Sequence, residues 1–412
     1  MNAMNAFTAS AAAPLALLTP VTDAATVRDA VRAVLPEIAA AALATERERR
    51  VPDRNIALLR ETGFFRLVQP IGFGGLELAF DDVAGLVIEI GAACASTGWV
   101  AGLSAAHQWL VGTFDIAAQH EVWDANPDAL VCGSYAPAGN VVAAESGYRA
   151  TGRWSFASGC DVAGWAVCGA LLPRGEGQPP AAAFLLVPAR DYAIDDNWNT
   201  IGLSGTGSKT LVLDDVFVPA HRALTFKDSC AGTSPGASLS DNPLFRMPLL
   251  GSIASCLAAA AIGAAQGALD SYLAVTSRRI TRGAVAGSNN RMADFPTIQL
   301  RVAEAAASVD AARTILLRDL RDTAEAVREN GVASVEQRIT SRRGQAFSVS
   351  LAIRAAEALN ASTGGQGLDM ANPVQRAWRD ANAIGRHISM NWDAVGTMYG
   401  QMALGLEPRG QY

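Results

Sequence analysis

Two histidines, an aromatic–hydroxyl pair, a loop serine, an arginine and a glycine pair are the residues of this chain best placed to act on a bound molecule. His387 stands in Arg386-His-Ile-Ser389, and an imidazole suits proton exchange near neutral pH. His107 lies in Ser104-Ala-Ala-His-Gln-Trp109, an apolar helical stretch, where a lone histidine is either a satisfied core residue or faces a ligand. Thr151-Gly-Arg-Trp-Ser-Phe-Ala-Ser-Gly159 reads as a strand. Alternate strand residues share a face, so Phe156 and Ser158 point the same way and Trp154 joins them. That face offers a ring and a hydroxyl to a flat ligand, or it is a half-buried surface with a solvated serine. Ser134, in Cys132-Gly-Ser-Tyr-Ala-Pro137, is a ligand contact or a turn serine. Arg279, in Arg278-Arg-Ile-Thr-Arg-Gly283, can hold a phosphate through two parallel hydrogen bonds or lie on a solvated basic face. Gly364 and Gly365 break a helix in Ser362-Thr-Gly-Gly-Gln-Gly367. His120, beside Glu121, and His221, after Pro219, read as surface residues.

The elements that must position these groups fall into three modules, as 412 residues allow. Residues 1–23 form an Ala-rich tail without Lys or Arg, unlike a signal or transit peptide. Residues 24–128 read as an N-terminal helical domain: Ala25–Arg50, a restart at Pro52-Asp53 stopped by Gly63, then Asp81–Ala95, Ala101–Trp109 and Ala117–Trp123. Residues 129–226 alternate short apolar runs with Gly, Pro and Asp turns, which marks a small β-domain. Its strands are Leu130–Cys132, Trp165–Leu171, Ala183–Val187 and Thr210–Leu213. Residues 227–243 are a polar linker, and residues 244–412 return to long Ala-rich helices.

Composition removes several functions. A net charge of −6 argues against a nucleic-acid partner. Six cysteines and four histidines show no metal spacing, so no metal is expected, and the thiols read as reduced in a cytoplasmic protein. Met247–Leu269 is uncharged and long enough to span a bilayer, but its Ala, Gly and Ser content suits close helix packing. Gly202–Gly207 has the gap of a phosphate loop, yet Lys209 comes one residue late and a strand follows instead of a helix. No nicotinamide-type Gly-x-Gly-x-x-Gly follows a strand.

Several of these segments together resemble the acyl-CoA dehydrogenase fold. Asn197–Pro219 resembles that family's Gly-x-x-Gly turn and the strand ending in Asp-Asp-Val-x-Val-Pro, Leu58–Gly75 its helix-Gly-loop entry, and Arg379-Asp380-Ala381 the helix leading into its active site. The resemblance implies an N-terminal helical domain, a small β-barrel domain and a C-terminal four-helix bundle. The dehydrogenases carry a catalytic Glu in a Tyr-Glu-Gly-Thr run after the Arg-Asp-Ala helix. Here that run is absent and His387 stands near its place. The chain is thus most similar to the reduced-flavin-dependent aromatic monooxygenases on this scaffold, such as p-hydroxyphenylacetate hydroxylase oxygenase components and indole oxygenases.

That resemblance implies an oxygenase component that takes reduced FMN or FAD from a separate flavin reductase, forms a C4a-hydroperoxyflavin with O2, and hydroxylates or epoxidises a small phenol or indole. It gives Phe156, Trp154, Ser158 and Ser134 to the isoalloxazine, with Ser158 at N5. Arg279 goes to the flavin phosphate, where Arg282 replaces the family's Phe, and Gly364 and Gly365 approach the cofactor. His387 manages a proton, His107 and Ser134 meet substrate, and the chain forms a homotetramer. Three rivals stay open: a dehydrogenase with a displaced base, for which Glu357 is the nearest carboxylate, an S- or N-oxygenating enzyme, and a non-catalytic flavin-binding protein.

Overall fold

The computed structural model describes residues 23–175, 177–280 and 291–412. The expected tail, all but residue 23, lies outside them, as does Arg282. Helix α1 (Ala24–Ala40) starts where the Asp23 carboxylate accepts from the Thr26 amide at 2.9 Å. The single helix expected over Ala25–Arg50 is in fact two: the chain bends at Ala41 and continues as α2 (Ala42–Glu48). Helix α3 (Asp53–Glu61) is followed by Gly63 in the left-handed region, φ 78°. Then come α4 (Phe80–Ala93), α5 (Ala95–Gly112) and α6 (Ile116–Trp123).

The β-domain holds two four-stranded sheets. One orders β1 (Val131–Ser134), β4 (Trp165–Leu172), β5 (Ala181–Pro188) and β8 (Ala223–Thr225). The other orders β2 (Asn140–Ala144), β3 (Gly147–Ala157), β7 (Lys209–Pro219) and β6 (Ala193–Asp195). Strands β2, β6 and β8 were not expected; they are short and carry few large apolar residues. Trp154, Cys168, Leu185 and Leu211 pack between the sheets.

The segment expected as a linker folds against the rest. It contains α7 (Phe226–Ala231), and beyond it the Leu244 carbonyl accepts from the Trp109 indole at 2.8 Å, tying it to α5. The C-terminal bundle comprises α8 (Leu249–Thr276), α9 (Pro296–Asn330), α10 (Val335–Ala361) and α11 (Pro373–Ile384), followed by α12 (Trp392–Ala403).

Helix α8 is the spine. It packs against α4, α5, α9, α10 and α11 and is buried along most of its length. Its small residues permit this: a Cβ on Gly263 would fall 2.6 Å from the Ile88 carbonyl oxygen and 2.8 Å from Gly91 Cα. The apolar stretch that passes for a membrane span is therefore a core helix satisfied within one chain. Its burial bears out the reading of its Ala, Gly and Ser content as suited to close helix packing.

Candidate active site

Helix α5 carries both Trp99 and His107, eight residues and so about 12 Å apart along its axis. Ser158 lies just past the end of β3. It is 7 % exposed, and its Oγ accepts from Trp99 Nε1 at 2.9 Å. The His387 ring also meets Trp99, edge-on at 5.8 Å. Ser158 and His387, 229 positions apart, are thus joined through Trp99, a residue that sequence reading did not single out.

His387 sits where α11 has ended. Its Nδ1 accepts from the Ser389 amide at 3.2 Å, capping the tight turn Ile388–Met390. In the neutral ring the proton then resides on Nε2. Burial, with the nearby Arg342 charge, pushes its pKa down to about 4. At neutral pH it is an uncharged imidazole.

The face expected from strand alternation is not formed. A bulge between Trp154 and Ala157 breaks the register, with Phe156 at φ 68°. Trp154 is therefore turned away from the site: fully buried, it donates from its indole to the Gly169 carbonyl at 2.7 Å between the two sheets. This removes it from the flavin contacts. Phe156 is instead 70 % exposed, with Trp198 edge-on at 6.0 Å. A left-handed non-glycine residue costs about 1–3 kcal/mol, and an exposed ring costs more. Both fit a ring presented to a flat ligand beside Ser158.

The two strongest scaffold motifs meet here. The Arg379 guanidinium donates to the Ile201 carbonyl at 2.5 Å, and the Asp380 carboxylate accepts from the Leu203 amide at 2.6 Å. Gly202 is required at this contact, because a Cβ would lie 2.3 Å from the Arg379 carbonyl oxygen. Burial raises the Asp380 carboxyl to about 6, against the pull of the Leu203 amide. Arg379 also pairs with Glu46 of α2 at 2.5 Å, both nearly buried. Lys209 is held by Asp161 at 2.7 Å, so it is not the cation of a phosphate loop.

His107 is 2 % exposed at the seam between α5 and β1, and its Nδ1 donates to the Val131 carbonyl at 2.7 Å. Nε2 is then a bare acceptor, and burial holds the ring neutral with a pKa of about 4. The Tyr135 ring meets it edge-on at 5.7 Å, and the buried Tyr135 hydroxyl has no hydrogen-bond partner among the described residues. Ser134 differs: its hydroxyl proton goes to the Ser155 carbonyl at 2.6 Å, which joins β1 to β3. Sequence reading chose Ser134 from this segment; the unsatisfied hydroxyl belongs to the next residue. His120 pairs with Asp124 and His221 with Glu121 near the surface.

Arg279 and Gly364 are brought together beyond the ends of α8 and α10, where the guanidinium donates to the Thr363 carbonyl at 2.5 Å. Among the described residues, no hydrogen bond links this cluster to Ser158 or His387. Glu357, the rival base, is exposed on α10 and accepts from the Trp378 indole, so it faces none of these groups.

Helical domain, β-domain and bundle, with a hydroxyl and an exposed ring at their junction, define a flavin enzyme of acyl-CoA dehydrogenase architecture. Residues 22–122 match the family model for the acyl-CoA dehydrogenase N-terminal domain and residues 255–392 that for the C-terminal domain. The chain is 61 % identical to the oxygenase component of an FADH2-dependent resorcinol hydroxylase from Rhizobium sp. strain MTP-10005, over 89 % of this chain and 91 % of that protein. The crystal structure of the HsaA monooxygenase from Mycobacterium tuberculosis superposes with TM-score 0.89 at 34 % identity, covering 94 % of this chain and 99 % of that one. XiaF from Streptomyces sp., solved with FADH2 and glycerol, gives TM-score 0.85 at 30 % identity over 94 % and 97 % of the two chains. The chain belongs to the oxygenase components of two-component flavin-dependent monooxygenases.

Proposed function

We propose that this chain hydroxylates a small phenol, with resorcinol the first compound to test, using reduced FAD delivered by a separate flavin reductase. The substrate class is taken from the relative at 61 % identity. The observation that carries the reading is the meeting of Ser158, Trp99 and His387 beside exposed Phe156. Bound reduced flavin supplies the electrons and the centre that activates O2. Phe156 covers the ring, Ser158 holds N5, and Trp99 keeps water from that edge. His387 moves a proton at the reacting centre. His107 orients substrate, because its bare Nε2 accepts from a phenol hydroxyl. Substrate entry is also where Tyr135 finds a partner for its hydroxyl; leaving such a group unpaired costs about 1–3 kcal/mol.

Ser158→Ala tests this assignment. Loss of one hydrogen bond is worth about 0.5–1.5 kcal/mol, so the oxygenated complex decays faster. In an assay coupled to a reductase, the variant releases more hydrogen peroxide per NADH than the wild type. Unchanged coupling returns Ser158 to a structural role.

The Arg279 and Gly364–Gly365 cluster, which no hydrogen bond joins to Ser158 among the described residues, serves the flavin of a neighbouring subunit in a homotetramer. Light scattering should report a multiple of the 42.9 kDa chain mass. A monomer with intact flavin affinity removes this part of the reading. Buried, unpaired thiols at all six cysteines accord with a cytoplasmic enzyme.

A further inference from the structure

Ser158 is one member of a hydrogen-bond chain whose two ends fix its direction. At one end is the Trp99 indole N–H, which can only donate, 2.9 Å from Ser158 Oγ. At the other is the Leu203 carbonyl, which can only accept, 2.8 Å from Thr206 Oγ1. Between them Ser158 and Ser208 stand 2.7 Å apart, and Ser208 and Thr206 2.6 Å apart. Each hydroxyl has a single proton. The Leu203 carbonyl also accepts from the Trp198 indole at 3.0 Å, and Thr206 Oγ1, 2.8 Å from its lone pairs, escapes their repulsion by donating its proton there, so Thr206 must accept from Ser208. The Ser208 proton is then committed, so Ser208 must accept from Ser158. Every link runs one way, from Trp99 to Leu203. The Leu203 peptide is itself held, its amide donating to the Asp380 carboxylate at 2.6 Å.

Ser158 thus has no proton left for a ligand. It keeps one lone pair, and is an obligate acceptor. Flavin N5 bears a hydrogen when reduced and is a bare acceptor when oxidised. We infer that Thr206 and Ser208 are positioning residues that set the Ser158 proton so that the site accepts from N5–H and disfavours oxidised flavin. The inference rests on the reading that Ser158 meets N5. It explains why three hydroxyl groups and an indole, all buried, are strung together where one serine would suffice to hydrogen-bond either redox form.

The test compares dissociation constants for oxidised FAD and, anaerobically, reduced FAD. The wild type binds reduced FAD more tightly. Thr206→Val deletes the terminal acceptor; Ser208 is then free to donate to Ser158, and Ser158 to turn its own proton toward N5. Ser208→Ala frees the Ser158 proton directly. In either variant the oxidised-to-reduced ratio of dissociation constants should fall roughly three- to tenfold, the worth of one hydrogen bond. Thr206→Ser keeps the hydroxyl and should keep the ratio, which a purely structural role of the side chain would not require. A wild-type ratio in both Thr206→Val and Ser208→Ala, with the ratio lowered in Ser158→Ala, overturns the relay and leaves the proposed function standing. A wild type that hydroxylates phenols without preferring reduced FAD also overturns it. Absence of both hydroxylation and reduced-FAD binding defeats the proposed function itself.

Discussion

His387→Ala is expected to fold, to bind reduced flavin, and to lose hydroxylation by about 10²–10⁴-fold, the range for removal of a positioned proton-transfer group. The loss is in chemistry, because among the described residues the imidazole makes one ring contact, with Trp99, and one hydrogen bond, from the Ser389 amide. The wild-type pH profile should carry the mark of the same residue. Burial places its pKa at about 4, so it stays neutral from pH 8 down to about pH 5. His387 should therefore add no step to the single-turnover hydroxylation rate across that interval, and its protonation should lower the rate only as the pH approaches 4. A histidine with the ordinary value of about 6.5 would instead halve the rate near that pH. Product turnover in His387→Ala at the wild-type rate would remove His387 from the chemistry.

The second large effect is on stability. Arg379→Ala strips the partner from Glu46, whose side chain is 15 % exposed, and releases the Ile201 carbonyl. Breaking one side of a buried ion pair costs about 3–5 kcal/mol, mostly from the charge left behind. Chemical unfolding should show that loss. Glu46→Gln combined with Arg379→Met should recover part of it, because neither charge then remains buried. A loss below about 1 kcal/mol for Arg379→Ala would mean that Glu46 reaches water once its partner is gone.

The order of modules was legible because the residue types change sharply. Ala-rich runs with helical spacing flank a region where short apolar runs end at Gly, Pro and Asp. The bend at Ala41 was not legible, since no glycine or proline marks it. Ser158 and His387 were singled out from residue type and from the resemblance, and both meet Trp99 in the fold. Trp154 was misplaced for a definite reason: alternation holds only in an unbroken strand, and the left-handed turn at Phe156 inserts a bulge that pairing with β7 reveals and sequence does not. Trp99, Thr206 and Ser208 carried no local signal. An indole, a threonine and a serine become a relay only when α5, β3 and the turn before β7 converge. Arg379 and Asp380 were recognised as a motif, but their partners Ile201 and Leu203 lie 178 and 177 positions away. Helix α8 was legible from composition alone: an uncharged run of Ala, Gly and Ser marks a helix made for close packing, and it is buried along most of its length.

The most direct test of the central claim is a single turnover in isotopically labelled dioxygen. The protein is loaded anaerobically with reduced FAD and resorcinol, then mixed with the labelled gas, and the product is analysed by mass spectrometry. A ring-hydroxylated product carrying one labelled oxygen atom, formed before oxidised flavin has fully returned, is expected. Unlabelled product, or no hydroxylated product together with bleaching of the oxidised flavoprotein by an acyl-CoA thioester, would contradict that claim.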